Sequence, residues 1–354
     1  MKSIIITGPR EVKIIEEDVP KAGPGEIVVQ ANLSGISSGT EMMLYRGTYP
    51  NFKLNKWPEW KTYPVRPGYE LVGRVVEIGP STSKGQPAGA FPPGGGVVMA
   101  DTSEFRVGDR VVCLGSHQEY SKVPATIAVK IPDGVTDEQA TFAVLGTTTM
   151  HSTRRLALEY GSTVAVIGLG VVGNLALQHA KLAGAAVTIG LDLDPTRVDL
   201  GRAAGADHVI QVGKQDPLKT VLQLTRNIGA DAVVEASGGN ATVQLALDLM
   251  RDGGIVELLA WRHDVGFLFG DLYYKEAKLI ATRAIGPDPG IPFPYVRWAS
   301  DQSLRLVMSM LADGRLKAGF FKPSRFPYAD IAKVYKMVDK DQASLGLQGI
   351  LIWR

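Results

Sequence analysis

The feature that most constrains this chain is a glycine-spaced turn in a fixed setting. The apolar run TVAVIGLG leads into Gly168-Leu169-Gly170-Val171-Val172-Gly173, and an apolar helical pattern, VVGNLALQHAKLAGA, follows at once. A G-x-G-x-x-G that ends a strand and opens a helix needs its glycines for three reasons. The first permits a tight turn, the second lets a pyrophosphate approach the backbone, and the third allows helix and strand to pack closely. The helix start then offers free N–H groups and partial positive charge to phosphates. Strand-like AVTIGLDLD, DHVIQV, DAVVEAS and IVELLAW continue the pattern, separated by helical DPTRVDLGRAAGA, PLKTVLQLTRNIGA and ATVQLALDLMRDGG. Such alternation predicts an α/β fold with a doubly wound parallel sheet, a Rossmann dinucleotide-binding domain.

Asp192 ends the second of these strands, 19 residues beyond Gly173, where a carboxylate accepts hydrogen bonds from ribose hydroxyls. A 2′-phosphate there would meet like charge, and Leu193 and Asp194 follow rather than an arginine, so the expected cofactor is NAD. Arg197 is placed over the adenine. Ser237 and Ala260, after the strands DAVVEAS and IVELLAW, complete the expected cofactor-binding set. The competing reading makes these glycines plain turn residues and Asp192 a helix cap.

Residues 1 to about 150 have a different texture. VKIIEEDVP, GEIVVQANLSGI, LVGRVVEIG, DRVVCLG and EYSKVPATIAVKIP are Val- and Ile-rich runs bounded by Gly, Pro, Asp and Ser, the pattern of a small β-rich module. The Gly- and Pro-dense stretch from Gly79 to Val107 reads as an irregular loop. The tail from about Pro287 holds two further helical patterns and a closing strand, and is expected to fold back on the first module. A chain of 354 residues suits two domains. The expected division is 1–155, completed by 288–354, and 156–287. A net charge of +2 with no block of like charges gives no footprint for nucleic acid or a membrane surface. The start lacks a signal-peptide pattern and no apolar run is long enough to span a bilayer, so a cytoplasmic location is expected. The single cysteine, Cys113, excludes an intrachain disulfide and a Cys-rich metal cluster.

The order of elements, with Gly35-Ile36-Ser37-Ser38-Gly39-Thr40-Glu41, Pro67-Gly68-Tyr69-Glu70, Val107-Gly108-Asp109-Arg110-Val111 and Gly146-Thr147-Thr148, resembles the medium-chain dehydrogenase/reductase superfamily over essentially the whole chain. The resemblance implies an N-terminal GroES-like catalytic domain. SGISSGTE and PGYE are most similar to the subgroup that includes the bacteriochlorophyllide dehydrogenases, and Met150 to Arg155 to polyol dehydrogenases. Zinc-dependent members hold the metal with a Cys, a His and a Cys or Glu. Here Ser38 or Ser37 stands at the first position, Tyr69 at the second and Val144 at the third, with Glu70 surviving beside Tyr69. The cysteine lobe of the structural zinc is missing after Cys113. No metal is therefore expected.

Alcohol oxidation without zinc requires a positioned base and hydrogen-bond donors to the reacting oxygen. The resemblance puts Thr40 at a proton-relay hydroxyl and Tyr69 and Thr148 near the nicotinamide and substrate. His151, one helical turn past Thr148, is the candidate base because imidazole ordinarily titrates near neutrality. Each has a plainer reading: Thr40 as a helix cap, Tyr69 as filler of the ligand's space, Glu70 as a supporting carboxylate, His151 as a core histidine. The aromatics Tyr49, Phe52, Trp57, Trp60 and Tyr63 suit a sugar, cyclitol or flat ring, or an ordinary packed loop. The leading expectation is a zinc-independent, NAD-dependent dehydrogenase acting reversibly on a secondary alcohol of a small-molecule substrate, assembled as a homodimer or homotetramer. Its rivals are a zinc-free enoyl or quinone reductase and a non-catalytic NAD-binding protein.

Overall fold

The computed structural model describes residues 1–56, 60–82, 101–261, 266–286 and 297–354. Trp57 and most of the loop expected between Gly79 and Val107 lie outside the described residues. Two compact units emerge from the contacts: Met1–Val144 with Pro287–Ala312 and Lys322–Arg354, and Leu145–Gly286 with Asp313–Phe321. The division after Val144 falls inside the helix Ala143–Arg155, earlier than the expected 155, and a short piece of the tail groups with the second unit.

Among the described residues, fifteen strands follow in chain order. The first unit contributes β1 (Lys2–Gly8), β2 (Glu11–Glu16), β3 (Glu26–Ile36), β4 (Leu71–Ile78), β5 (Arg110–Cys113), β6 (Tyr120–Pro124) and β7 (Ala128–Lys130). The second contributes β8 (Thr163–Ile167), β9 (Val187–Asp192), β10 (His208–Gln211), β11 (Ala230–Glu235), β12 (Met250–Leu258) and β13 (Lys278–Ala281). The chain then returns to the first unit with β14 (Ser324–Pro327) and β15 (Gly349–Ile352).

In the first unit the sheet runs β14-β15-β3-β4-β5-β7, with β6 also on β3. β15 pairs antiparallel with β3, so the C-terminal strand lies beside Leu33–Ile36. The core beneath includes Ile4, Ile27, Val29, Leu71, Val111, Tyr335 and Leu351, and β3 and β5 carry buried residues at consecutive positions, so both of their faces are covered.

The second unit is a six-stranded sheet in the order β10-β9-β8-β11-β12-β13, parallel throughout. Its central strands read TVAVI and AVVE because both faces are covered by helices, which removes the alternation of a solvated sheet. The strand order reverses at β8, between β9 and β11. In open parallel sheets ligands bind at the carboxyl ends of the strands beside such a reversal. No helix among the described residues is long and apolar enough to cross a membrane.

Candidate functional site

At the carboxyl end of β8 the backbone enters Gly168 at φ 93°, a conformation that favours glycine. A Cβ on Gly173 would fall 1.7 Å from Gly168 O, so that position must be glycine for helix and turn to touch. A Cβ on Gly170 would meet nothing within 4 Å, so the face of this turn is open to a ligand. Helix Val171–Leu182 begins there with no side chain capping it, leaving N-terminal N–H groups for an anion. Val171 is buried and Val172 half-buried.

Asp192 closes the other side of the turn. Its Oδ2 accepts Leu169 N–H at 2.7 Å and its Oδ1 accepts Asp194 N–H at 2.9 Å. Arg197 approaches Asp192 and Asp194 only to 4.0 Å, as a half-exposed cation beside the carboxylate. Asp194, not Asp192, caps the following helix, accepting Thr196 N–H at 2.8 Å. Asp192 is therefore a turn carboxylate and not the helix cap.

On the far side of β8, Glu235 ends β11 fully buried, a residue that the sequence reading passed over. It accepts Ser237 N–H at 3.0 Å and the Thr242 hydroxyl at 2.7 Å. This fixes the Ser237 loop against the glycine turn, where a Cβ on Gly168 would stand 2.8 Å from Ser237 N. Ala260 N–H donates to Glu235 O at 3.2 Å, so Ser237 and Ala260 share one rim.

Thr148 and His151 lie on the helix Ala143–Arg155. Thr148 Oγ1 accepts Ile285 N–H at 3.0 Å. His151 is 2% exposed with its Nδ1 unpartnered. Burial, then the guanidiniums of Arg155, Arg154 and Arg283, push its pKa down to about 4. The reason for choosing His151 as a base, an ordinary pKa near neutrality, does not survive this environment.

The remaining candidates gather in the first unit. Tyr69 has its phenol raised far above the ordinary value, chiefly by burial and then by Glu70, while hydrogen bonds with Ser37 and Thr40 act the other way. The side chain keeps some exposure, and its phenol stays protonated as a donor. Thr40 opens a helix capped by Gly39 without a side-chain bond, so it is not the cap. Glu70 is 1% exposed; its Oε2 accepts Gln348 Nε2–H at 2.6 Å and its Oε1 has no partner. Burial first, and the charge of Glu41, raise its pKa to about 8 against the Gln348 bond. Behind this pair His117 bridges Glu41 at 3.0 Å and Ser34 at 2.8 Å, and Tyr335 donates to Glu41.

The donor set does not fit zinc. Val144 is fully buried and carries no donor atom, Tyr69 resists deprotonation, and Ser38 accepts from Gln342 Nε2 at 3.2 Å. A zinc site needs several deprotonated N, S or O ligands. Cys113 is buried within the sheet, with its thiol pushed up to about 12.

A zinc-binding dehydrogenase family model matches residues 171–290, and an alcohol dehydrogenase GroES-like domain model matches residues 23–133. A D-guloside 3-dehydrogenase of Escherichia coli is 28% identical over 337 residues, covering 89% of both chains. A probable zinc-binding alcohol dehydrogenase of Mycobacterium tuberculosis is 30% identical over 282 residues, 73% of this chain and 68% of that one. The crystal structure of 2R,3R-butanediol dehydrogenase from Bacillus subtilis matches with a TM-score of 0.77 over 99% of each chain at 19% identity.

Proposed function

The chain belongs to the medium-chain dehydrogenase/reductase superfamily, with its GroES-like and Rossmann-type domains, and from that premise we propose that it is an NAD-dependent dehydrogenase of a secondary alcohol that works without zinc. The observation that carries the cofactor is the open glycine turn closed by Asp192, whose carboxylate suits free ribose hydroxyls and repels a 2′-phosphate. Bound NAD supplies the hydride acceptor. Gly170 and the helix start at Val171 hold the phosphates, and Ser237 and Ala260 border the same crevice. The D-guloside relative supports a sugar or polyol substrate.

The hydroxyls of Ser37, Thr40 and Tyr69 provide hydrogen bonds for an alcohol or ketone oxygen. Glu70, ionising near pH 8, is the group in that cluster able to take a proton at working pH. Zinc independence rests on Tyr69 and Val144 at two of the family's ligand positions.

The test combines metal analysis of the purified protein with steady-state assays on NAD plus polyols and sugar glycosides, and on NADPH plus enones. Turnover of a secondary alcohol with NAD, with less than about a tenth of a zinc per chain, is expected. One zinc per chain with activity lost to a chelator overturns the zinc-free reading, and enone reduction alone overturns the reaction.

A further inference from the structure

Two segments of the first unit, far apart in sequence, carry the hydroxyls of the proposed site. Ser37 precedes helix Thr40–Arg46, which Thr40 opens, and Tyr69 leads into β4. One side chain, between β5 and β6, is bound to both. His117 N–H donates to Pro67 O at 2.9 Å, and the ring fills the space beside Gly68, where a Cβ would stand 2.8 Å from its Cγ and Nδ1. Gly68 has φ 89°, so backbone and neighbour alike call for glycine there. On the other side, His117 Nε2 lies 3.0 Å from Glu41 Oε2. Glu41 Oε1 accepts Ser37 N–H at 2.8 Å.

The bonds behind His117 decide which ring nitrogen carries hydrogen. An indole N–H only donates, so Trp353 Nε1–H takes Ser34 Oγ as its acceptor at 2.9 Å. Ser34 keeps its own O–H to donate to His117 Nδ1 at 2.8 Å. Hydrogen is therefore left on Nε2, which donates to Glu41. Tyr335 O–H donates to the same Glu41 oxygen. Ser34, Glu41, His117 and Tyr335 are all buried. Burying a carboxylate and an imidazole costs desolvation that apolar residues of similar volume would avoid. What the network contributes is therefore sought in what it places, and the groups it places are Ser37, Thr40 and Tyr69.

We propose that His117 is a positioning residue of the dehydrogenase site: held in its Nε2–H form by Ser34 and Trp353, it ties Gly68–Tyr69 to Glu41 and so sets the Tyr69 phenol against the Ser37 and Thr40 hydroxyls. The inference rests on the reaction proposed above. His117 exchanges no proton with substrate, because Ser34 and Glu41 occupy both ring nitrogens and the side chain is buried.

The test uses the full chain and two readouts. NMR of nitrogen-labelled histidine, with His117→Gln assigning the signal, reports which ring nitrogen carries hydrogen. Steady-state oxidation of a panel of polyols and methyl glycosides by NAD gives kcat, and fluorescence gives the NADH dissociation constant. The wild-type ring should carry hydrogen on Nε2 and none on Nδ1. Trp353→Phe frees Ser34 Oγ to accept, so it should admit the Nδ1–H form and lower kcat about threefold. His117→Phe keeps a ring beside Gly68 and loses both bonds; kcat should fall about thirtyfold, as for one hydrogen bond to a charged group, with NADH affinity within about twofold of wild type. His117→Gln, whose amide nitrogen donates to Glu41, should recover about tenfold of that loss. A wild-type ring with hydrogen on Nδ1 alone overturns the proposal, as does His117→Phe at wild-type kcat, or His117→Gln no better than His117→Phe. Where His117→Phe does not fold, a Trp353→Phe protein with unchanged ring hydrogen and unchanged kcat overturns it. A wild type that binds NADH and oxidises nothing in the panel overturns the reaction itself, and this inference with it.

Discussion

Replacing Glu70 by glutamine tests the buried carboxyl directly. The side chain is 1% exposed, one oxygen is bound by Gln348 and the other is unpartnered, so ionisation leaves charge in a poorly solvating site. Its pKa rises from 4.5 to about 8, mainly through burial. Between those values the fold retains a proton that the unfolded chain has released, so stability falls as pH rises through that window. One proton costs about 1.4 kcal/mol per pH unit, which gives a loss of roughly 2–3 kcal/mol between pH 5 and pH 7. Glu70→Gln keeps the shape and an acceptor for Gln348 but cannot ionise. Urea unfolding of both full-length proteins at pH 5, 6, 7 and 8 supplies the comparison. The stability difference should move in favour of the variant by about 1.4 kcal/mol per pH unit until the wild-type carboxyl ionises in the fold. A difference that is independent of pH across that range refutes the raised pKa, and with it the assignment of Glu70 as the group titrating near pH 8.

Two further outcomes concern the glycine turn. Asp192→Ala removes the acceptor of the Leu169 and Asp194 amides and should weaken NAD binding about tenfold while narrowing the preference over NADP; calorimetric titration that finds NADP bound as well as NAD by the wild type defeats the ribose assignment. Gly173→Ala drives a methyl group into Gly168 O, so it should lower stability by about 1–3 kcal/mol and loosen NAD by more than about tenfold, measured by thermal unfolding and titration; wild-type affinity would mean that this close packing does not shape the site.

The glycine turn was legible because it is written in consecutive backbone. Gly168, Gly170 and Gly173 act through what they lack, and a strand and helix flanking them are visible as periodicity. Asp192 follows at a distance fixed by one helix and one strand. Glu235 escaped notice although it ends a strand in the same way, because only the folded chain turns its carboxylate inward onto Ser237 and Thr242. The left-handed backbone of Ile285, at φ 55°, left no signal in sequence, since isoleucine is an ordinary residue for a chain leaving a strand.

The protonation of the candidate catalytic groups was not legible in sequence for a different reason. A pKa belongs to a neighbourhood, and these neighbourhoods are assembled from distant segments. His151 read as a base because free imidazole titrates near pH 6.5, whereas burial, then Arg155, Arg154 and Arg283 from far along the chain, lower its pKa. Glu70 read as a supporting carboxylate, yet burial against Gln348 and the charge of Glu41 bring its ionisation toward neutrality. Glu41 draws together His117, Tyr335 and the Ser37 amide. A family motif therefore carries over the positions of such side chains without carrying over their protonation. On the proposed zinc-free reading, with Tyr69 and Val144 at two ligand positions of the resemblance, the proton chemistry is sought in the burial and partners of the remaining carboxyl, Glu70.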